Sequence, residues 1–506
     1  QVYCCSLCFA FVLQPRLVCV ALASPGSSFW AMAWRRLLQG RVLCERFGHR
    51  SMASTVEVKA KPALKFDGSQ TSLGKKPRVV ILGTGWASFR VLTDIDHTKN
   101  KVTVISPRNH LLFTPMLASS ALGTVNQRSI CQPVRPLVAE KKAKFYESTV
   151  TKIDKVGKKV FCQTSLGAQY EIPYDKLVVG VGFQPNDFGI KGVKEHALFM
   201  KETMDATVFK DHILERLEQA SYYHALDGDP TTSSVEEAKI KELLTFVVVG
   251  GGPTGVELAG ELTDFLHNEG LKLYGHLKQH IQVHMFTYDV LGPFDKEIQE
   301  YALKHLVKKQ GIKVHLGAFV QSVEANVVHV KSGATNMSIG YGTLVWCAGI
   351  KPHDFIKDLG LAMNGKGTQI LTDHHLRVVG EEDIYAIGDC STVDGYWLPQ
   401  TAQVANQEGQ YVAKLLSRDE STTKELKPFV FHSQGMMAYL GGANAVMAQL
   451  PGLNKMTGFV AFIGWRFTYW FLQLSMRNRF MLSTDWLRTL VFGRDLTRFG
   501  PRSKPT

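Results

Sequence analysis

The run Thr245-Phe-Val-Val-Val-Gly250-Gly251-Gly252-Pro253-Thr254-Gly255-Val256-Glu257 constrains this chain more than any other feature. An apolar stretch breaks on glycines in G-x-G-x-x-G spacing and passes into an apolar-periodic segment. In a strand–turn–helix setting each glycine has its own duty. Gly250 makes the tight turn, Gly252 lets the backbone approach a pyrophosphate, and Gly255 lets helix pack closely on strand. The diphosphate then rests on the helix N-terminus, where unpaired N–H groups and the helix dipole meet it. An α/β turn without a ligand is the alternative, and three glycines in register weigh against it.

A partial copy comes earlier, in Arg78-Val-Val-Ile-Leu-Gly83-Thr84-Gly85-Trp86-Ala87-Ser88. Val79 to Leu82 reads as a buried parallel strand, with Gly83 at the turn and Gly85 open to a pyrophosphate. Ser88 or Ala87 replaces the third glycine, at an expected small loss of close packing. The next strand, Val102 to Ile105, ends in Ser106-Pro107-Arg108 and lacks the acid that usually holds a ribose. Two copies about 170 residues apart imply two dinucleotides. The segments Tyr174 to Pro185, through Gly182, and Leu344 to Pro352, through Gly349, read as strands ending in small residues where the chain crosses between domains. A further strand ends in Gly388-Asp389, placing a carboxylate where it can accept from a bound ribityl hydroxyl. A helix N-cap is the other reading of Asp389, and both can hold together.

Composition then limits the rest. Apolar residues make 45% of the 506 and charged residues 20%, which excludes a disordered or fibrous chain. No stretch offers the 18 or so uninterrupted apolar residues of a membrane span. Cys131, Cys162, Cys347 and Cys390 are too scattered for a disulfide scaffold, and Cys5-Ser6-Leu7-Cys8 is a chance spacing in an apolar leader. Five Arg and one acid lie between 32 and 56, the pattern of a mitochondrial presequence with initiation expected at Met32. A bipartite plastid leader with a signal-like segment over 3–26 is the alternative. The net charge of +13 concentrates in part at the tail, where residues 459–506 hold eight Lys+Arg and two Asp. Phe459, Ile463, Phe467, Trp470, Phe471 and Leu474 share one helical face over 459–476, which Arg466 interrupts. Such a segment lies on a bilayer in monotopic fashion or packs in a homodimer, and does not span. Basic residues beside Trp465, Trp470 and Trp486 suit an anionic lipid interface better than nucleic acid.

These motifs together resemble the type II (alternative, rotenone-insensitive) NADH:quinone oxidoreductases, and most of all the internal mitochondrial members of plants and algae. The resemblance rests on Gly83-Thr-Gly-Trp86, on Ser106-Pro-Arg-Asn-His-Leu-Leu-Phe-Thr114-Pro115, and on Val247 to Glu257. It rests also on Ala402-Gln403-x-Ala405-x-Gln407 and on Arg477-Asn-Arg with Val491-Phe-Gly-Arg494-Asp495. It implies an α/β fold of two Rossmann-like dinucleotide-binding domains, for FAD and NAD(P)H, plus a C-terminal amphipathic helical membrane-anchoring region. The expected limits are a leader over 1–58, FAD domain over 77–190 and 339–420, NAD(P)H domain over 191–338, and membrane region over 421–506. The resemblance places Gly83, Thr84, Gly85 and Trp86 around the FAD pyrophosphate and Ser106, Pro107 and Arg108 at the adenosine end. Thr114 and Pro115 fall near the flavin ring, with Gly182, Gly349, Gly388 and Asp389 along the cofactor. Ala402 falls among the cofactor-binding residues, and Gln403 and Gln407 sit at the isoalloxazine and line the quinone pocket. Gly250, Gly252 and Gly255 hold NADH, with Glu257 beside the nicotinamide.

The implied reaction is electron transfer from NADH through FAD to ubiquinone without proton pumping, at the matrix face of the mitochondrial inner membrane. A homodimer is expected, with no metal and no nucleic acid. One position departs from the pattern. Thr287 stands where relatives keep a ribose-binding Glu, and Asp289 is the candidate substitute. NADPH then becomes possible, and so does a flavin-retaining structural or regulatory subunit. A plastid NAD(P)H:plastoquinone reductase is the third reading. Disulfide reductases put a Cys pair on the helix after the first glycine turn or a CxxC in the NAD domain, and neither is present here; Cys347 and Cys390 read as packing residues, not as flavin-linked thiols.

Overall fold

In the computed structural model, residues 76–226, 234–418, 426–450 and 452–498 are described. The presequence reading and the Cys5–Cys8 spacing lie outside them. The run Arg78–Leu82 is an interior strand, the third of seven, in a seven-stranded sheet. It pairs in parallel with Lys101–Ser106 on one side and Lys176–Val179 on the other. Val79 to Leu82 are at most 1% exposed, as a strand covered on both faces must be. Ile384–Ala386 adds itself in parallel beyond Lys176–Val179, so the chain returns to this sheet after completing a second domain.

The second sheet is built around Thr245–Val249, between Thr343–Trp346 and Gln282–Phe286, all parallel. Leu198–Phe199 and Lys313–His315 close its edges. One face packs on helices, and the other on an antiparallel three-stranded layer formed by Ala318–Val323, Val327–Ser332 and Thr335–Gly340. The two crossovers between the domains run side by side, since Gln184–Pro185 pairs antiparallel with Ile350–Lys351.

Ser88 and Gly255 show how the two glycine motifs solve one packing problem differently. A Cβ at Gly255 would overlap the Gly250 carbonyl. At the matching place in the first domain, the Ser88 hydroxyl donates to Leu82 O (2.9 Å) and is also in range of Gly180 O (3.1 Å). Room for it exists because Gly180 has no side chain, and a Cβ there would overlap the Ser88 Oγ. The expected loss of packing is therefore replaced by a buried hydrogen bond.

The C-terminal region holds more than helices. Met436–Gly441, Asn444–Leu450 and Leu453–Thr457 form an antiparallel sheet, and helix Pro253–Phe265 lies against its first strand. Gly260 permits this approach, since a Cβ would stand 2.7 Å from Gly441 N. The single amphipathic helix expected over 459–476 is in fact Gly458–Phe471, followed by a break at 472–475 and a second helix, Met476–Phe492. Ser475 caps the second helix, and Leu474 falls in the break. Trp465 is not at a lipid interface but buried at 3% exposure against Tyr439 and Tyr469. Arg466 lies over the rings of Phe462 and Trp486, which lets an arginine sit between the two helices. No helix among the described residues is long and apolar enough to cross a membrane.

Candidate functional site

A cleft of about 1100 Å³ opens at the carboxyl ends of strands Arg78–Leu82, Lys176–Val179 and Ile384–Ala386, and reaches the first turn of helix Pro253–Phe265. Ligands in open α/β sheets bind at such strand ends. Gly83, with φ of +97°, turns the chain beneath Gly180, where any Cβ would overlap the Gly180 carbonyl. Helix Trp86–Asp94 then starts with Gly85 at its N-cap and no side chain on its free N–H groups. Thr84 is buried, its hydroxyl within 2.9 Å of Arg108 O and 3.1 Å of His110 O, so it ties the first turn to the end of the second strand. Ser106 sits 3.2 Å from the same hydroxyl. Trp86 donates from its indole to Thr114 Oγ1 at 3.2 Å, and its ring packs on Phe113.

Arg108 spans the cleft mouth and donates to both oxygens of Glu202 at 2.8 and 2.7 Å. Asp389 lines the same cleft. Burial pushes its carboxyl up, the neighbouring Lys201 pulls it back down, and it has no side-chain hydrogen-bond partner among the described residues. It lies in the 3-10 turn Gly388–Cys390, whose N-cap position is Ile387, so Asp389 does not cap that turn. Glu408 reaches in from helix Ala402–Leu416 and accepts from Gly388 N. Its carboxyl is pushed up to about 8 by burial.

Of the residues expected at the site, the cleft is lined by Gly83, Thr84, Gly85, Trp86, Ser106, Pro107, Arg108, Thr114, Gly182, Gly349, Gly388, Asp389, Ala402 and Glu257. Pro115 lies beside it in the turn Thr114–Met116. Gln403 and Gln407 do not line this cleft. Each clamps the backbone of one segment: Gln403 donates to Gly435 O (2.8 Å) and accepts from Gln434 N (3.0 Å), and Gln407 does the same with His432 O and N. Helix spacing of four puts both amides on one face, and there they act as a strand edge for residues 432–435.

Gly250, Gly252 and Gly255 form a separate turn at the second sheet. Gly252 is the N-cap of helix Pro253–Phe265, with no side chain on the cap and open space where its Cβ would be. Thr287 is buried and donates to Asp289 O at 2.6 Å, and Leu291 N donates to Gly251 O at 2.8 Å. The loop after the second strand thus folds directly onto the glycine turn. Asp289 stays exposed, its carboxylate beside Gly292.

Glu257 joins the two halves. It lines the cleft and is 7% exposed, and burial pushes its carboxyl up to about 8, so it is protonated at neutral pH. Tyr439 N donates to it at 3.2 Å, linking it to the C-terminal sheet. Glu408 and Lys201 escaped the sequence reading: helix Ala402–Leu416 is expected at the site through Gln403 and Gln407, but its Glu408 side is the one that meets Gly388, and nothing in one sequence says that residues 200–203 would face this cleft. Cys347 and Cys390 carry thiols pushed up to about 12 by burial and form no disulfide. They have the character of packing groups, and a thiolate reacting beside a flavin would need the opposite shift.

The residues present fit FAD. The first helix has an uncapped N-terminus, a Cβ at Gly182 would meet only open space, and the Asp389 carboxyl waits without a partner. Comparison with known proteins agrees. Residues 77–409 match the pyridine nucleotide-disulphide oxidoreductase family and residues 433–495 the NDH2 C-terminal domain. An Arabidopsis thaliana internal alternative NAD(P)H-ubiquinone oxidoreductase A1 is 35% identical, over 90% of this chain and 93% of its own. A Saccharomyces cerevisiae external NADH-ubiquinone oxidoreductase 2 is also 35% identical, over 83% and 82%. The NDH2 structure from Plasmodium falciparum in complex with NADH superposes with a TM-score of 0.77 at 25% identity, over 84% of this chain and all of that one. A sulfide:quinone oxidoreductase from Aquifex aeolicus shares the fold, with a TM-score of 0.62 at 16% identity. With its two glycine turns, one cleft and an NDH2 C-terminal domain, this chain belongs to the type II NADH:quinone oxidoreductases of the pyridine nucleotide-disulphide oxidoreductase family.

Proposed function

We infer that the protein passes electrons from NADH through FAD to ubiquinone without pumping protons, peripherally at the mitochondrial inner membrane. One observation carries this reading: a single cleft joins the first glycine turn, the Asp389 carboxyl and Glu257 of the nucleotide-binding helix. Bound FAD supplies the hydride acceptor and the two-electron donor. The chain's own residues bind, orient and hold protons. Gly83, Gly85 and the free N–H groups of Trp86 to Ser88 take the diphosphate. Asp389 accepts from the ribityl chain, and Trp86 on Phe113 walls off water. Gly250, Gly252 and Gly255 would receive the nucleotide on their own helix N-terminus, with Asp289 the candidate carboxylate for its ribose. Glu257, on that helix and bound by Tyr439 N of the C-terminal sheet, offers a protonated carboxyl to the cleft on the nicotinamide side. Gln403 and Gln407 shape the quinone pocket indirectly, by fixing residues 432–435.

The proposed domain limits are 77–190 with 339–420 for FAD and 191–338 for NAD(P)H, except that the second sheet continues to Trp346. The matrix face is proposed from kinship with internal relatives. A homodimer is proposed from the exposed apolar residues of the last two helices, such as Phe480 and Leu490, and light scattering of the detergent-solubilised protein tests it. Stopped-flow flavin absorbance tests the reaction itself. NADH should bleach it and added ubiquinone restore it, whereas a bound flavin that neither NADH nor NADPH reduces would overturn the catalytic reading.

A further inference from the structure

Residues 200–203 leave the edge strand Leu198–Phe199 of the second sheet and pass over the cleft of the first domain. The segment is fastened at several points. Lys201 N and Glu202 N donate to Asp205 Oδ2 at 2.8 and 2.7 Å, Gln127 Nε2 donates to Thr203 O at 3.0 Å, and both Glu202 oxygens accept from Arg108 Nη1. Lys201 is thereby held half-buried in the cleft wall. Its ammonium lies 3.3 Å from the centre of the Phe183 ring, next to Gly182, and faces Asp389. It forms no carboxylate ion pair within 4.0 Å among the described residues, although a partly buried ammonium is costly without a counter-charge.

We propose that Lys201, supplied by the nucleotide domain, is a cationic ligand of the FAD diphosphate, beside Arg108, whose guanidinium stands at the Gly85 turn. The inference rests on the FAD reading above. A dianionic diphosphate provides a direct counter-charge, which Asp389 and Glu202 give Lys201 only from beyond 4.0 Å, and Asp389 takes the adjoining ribityl hydroxyls. A cofactor held this way is gripped by both domains, and its retention then depends on a residue outside the FAD-binding fold.

The test is flavin release from the purified full-length holoprotein, followed as the rise in free-flavin fluorescence, for wild type, Lys201→Met and Lys201→Arg. Met keeps a contact on the Phe183 ring and removes the charge. Release should quicken about tenfold or more in K201M, the usual scale for one charge-assisted contact, and K201R should restore most of the retention. K201M that keeps its flavin as wild type does, or that changes only the KM for NADH, would overturn the proposal. Wild type that carries no flavin at all would instead sink the FAD reading. Should the variants fail to fold, amine acylation of wild type read by mass spectrometry decides. Lys201 should be shielded in holoprotein and labelled after flavin stripping, and equal labelling in both would overturn the assignment.

Discussion

Ser88 and Gly180 fill one space between them, and so in the second domain do Gly255 and Cys347, whose Cβ lies 3.5 Å from where a Gly255 side chain would begin. The small and the larger partner have changed places. Gly180→Ala would drive a methyl into Ser88 Oγ, and overpacking of that kind costs about 1–3 kcal/mol. Ser88→Gly would forfeit a buried hydrogen bond, about 1 kcal/mol. Both changes together should cost clearly less than their sum, and urea unfolding of the two single variants and the double measures the coupling. Additive losses would mean that the two sites do not share space. Protonation is the other matter at this scale. Glu257 and Glu408 are both raised to about 8 from an ordinary carboxylate value, so each is protonated in the folded chain and ionised in the unfolded chain between about 4.5 and 8. The folded state then binds more protons, and stability falls as pH rises through that window. From pH 6 to 8 each group should remove about 2 kcal/mol. Glu257→Gln and Glu408→Gln should each flatten the fall of melting temperature with pH, and an unchanged slope would show that the carboxyl is already ionised at pH 6.

At the level of elements, helix Pro253–Phe265 does more than present Gly252 to a nucleotide. It continues as a π-helical turn, Leu266–Gly270, and Arg494, near the end of the described chain, binds one acid before that turn and one within it. It donates to Glu261 at 3.0 Å and to Glu269 at 2.8 Å. Eight residues of uninterrupted α-helix would leave Glu269 roughly 80° round from Glu261. The wider turn unwinds roughly that much, so the two carboxylates face one guanidinium. Glu261 also accepts from Ser119 and Thr124 of the first domain, at 2.6 and 2.8 Å. Arg494 therefore joins the C-terminal segment to both domains at one buried point. Arg494→Met leaves Glu261 charged and unpaired, and should cost about 3–5 kcal/mol in urea unfolding. Adding Glu261→Gln should recover part of that loss, and no recovery would mean that Arg494 acts through packing alone.

Elements were also where the sequence was easiest and hardest to read. Both glycine turns, their strands and the two crossovers follow from local rules, because a parallel strand, a tight turn and a helix start each leave a mark within a few residues. The C-terminal sheet left one too, in Gly441-Gly442 between apolar runs, with φ of +87° and +62°. Its strands escaped notice since both faces are buried and no alternation shows. Long-range partners left no mark. That Gln403 and Gln407 would grip residues 432–435, or that Lys201 would cross from one domain to the other, depends on how distant segments meet. The tryptophans of the tail misled for the same reason: Trp465 is apolar enough for either lipid or core, and only its neighbours decide.

Viewed whole, the protein carries a charge of +13 and turns a group of large apolar side chains outward at one end of its chain. Phe467, Phe471, Phe480, Leu490 and Phe492 are 59–83% exposed, all on the last two helices, with Arg477, Arg479 and Arg488 on the second of them. A soluble surface rarely tolerates so many, and no helix among the described residues is long and apolar enough to span a bilayer; shallow insertion covers those that a second copy of the chain does not. Two forces should then be separable. Burying one Phe or Leu contributes about 1.5–3 kcal/mol, and each arginine near an anionic surface about 1 kcal/mol, the second screened by salt and the first not. Flotation with vesicles of mixed neutral and anionic phospholipid should show wild type bound at low salt and weakened, but not released, in high salt. Phe467→Glu with Leu490→Glu should reduce binding more than tenfold at either salt. Because both positions lie far in the chain from the glycine turns, the double variant should keep its flavin and its bleaching by NADH, while turnover with a membrane-bound quinone falls with the loss of binding. Binding that salt abolishes entirely, with the double variant behaving as wild type, would mean that charge alone holds the protein to the membrane and that another copy of the chain covers the apolar residues.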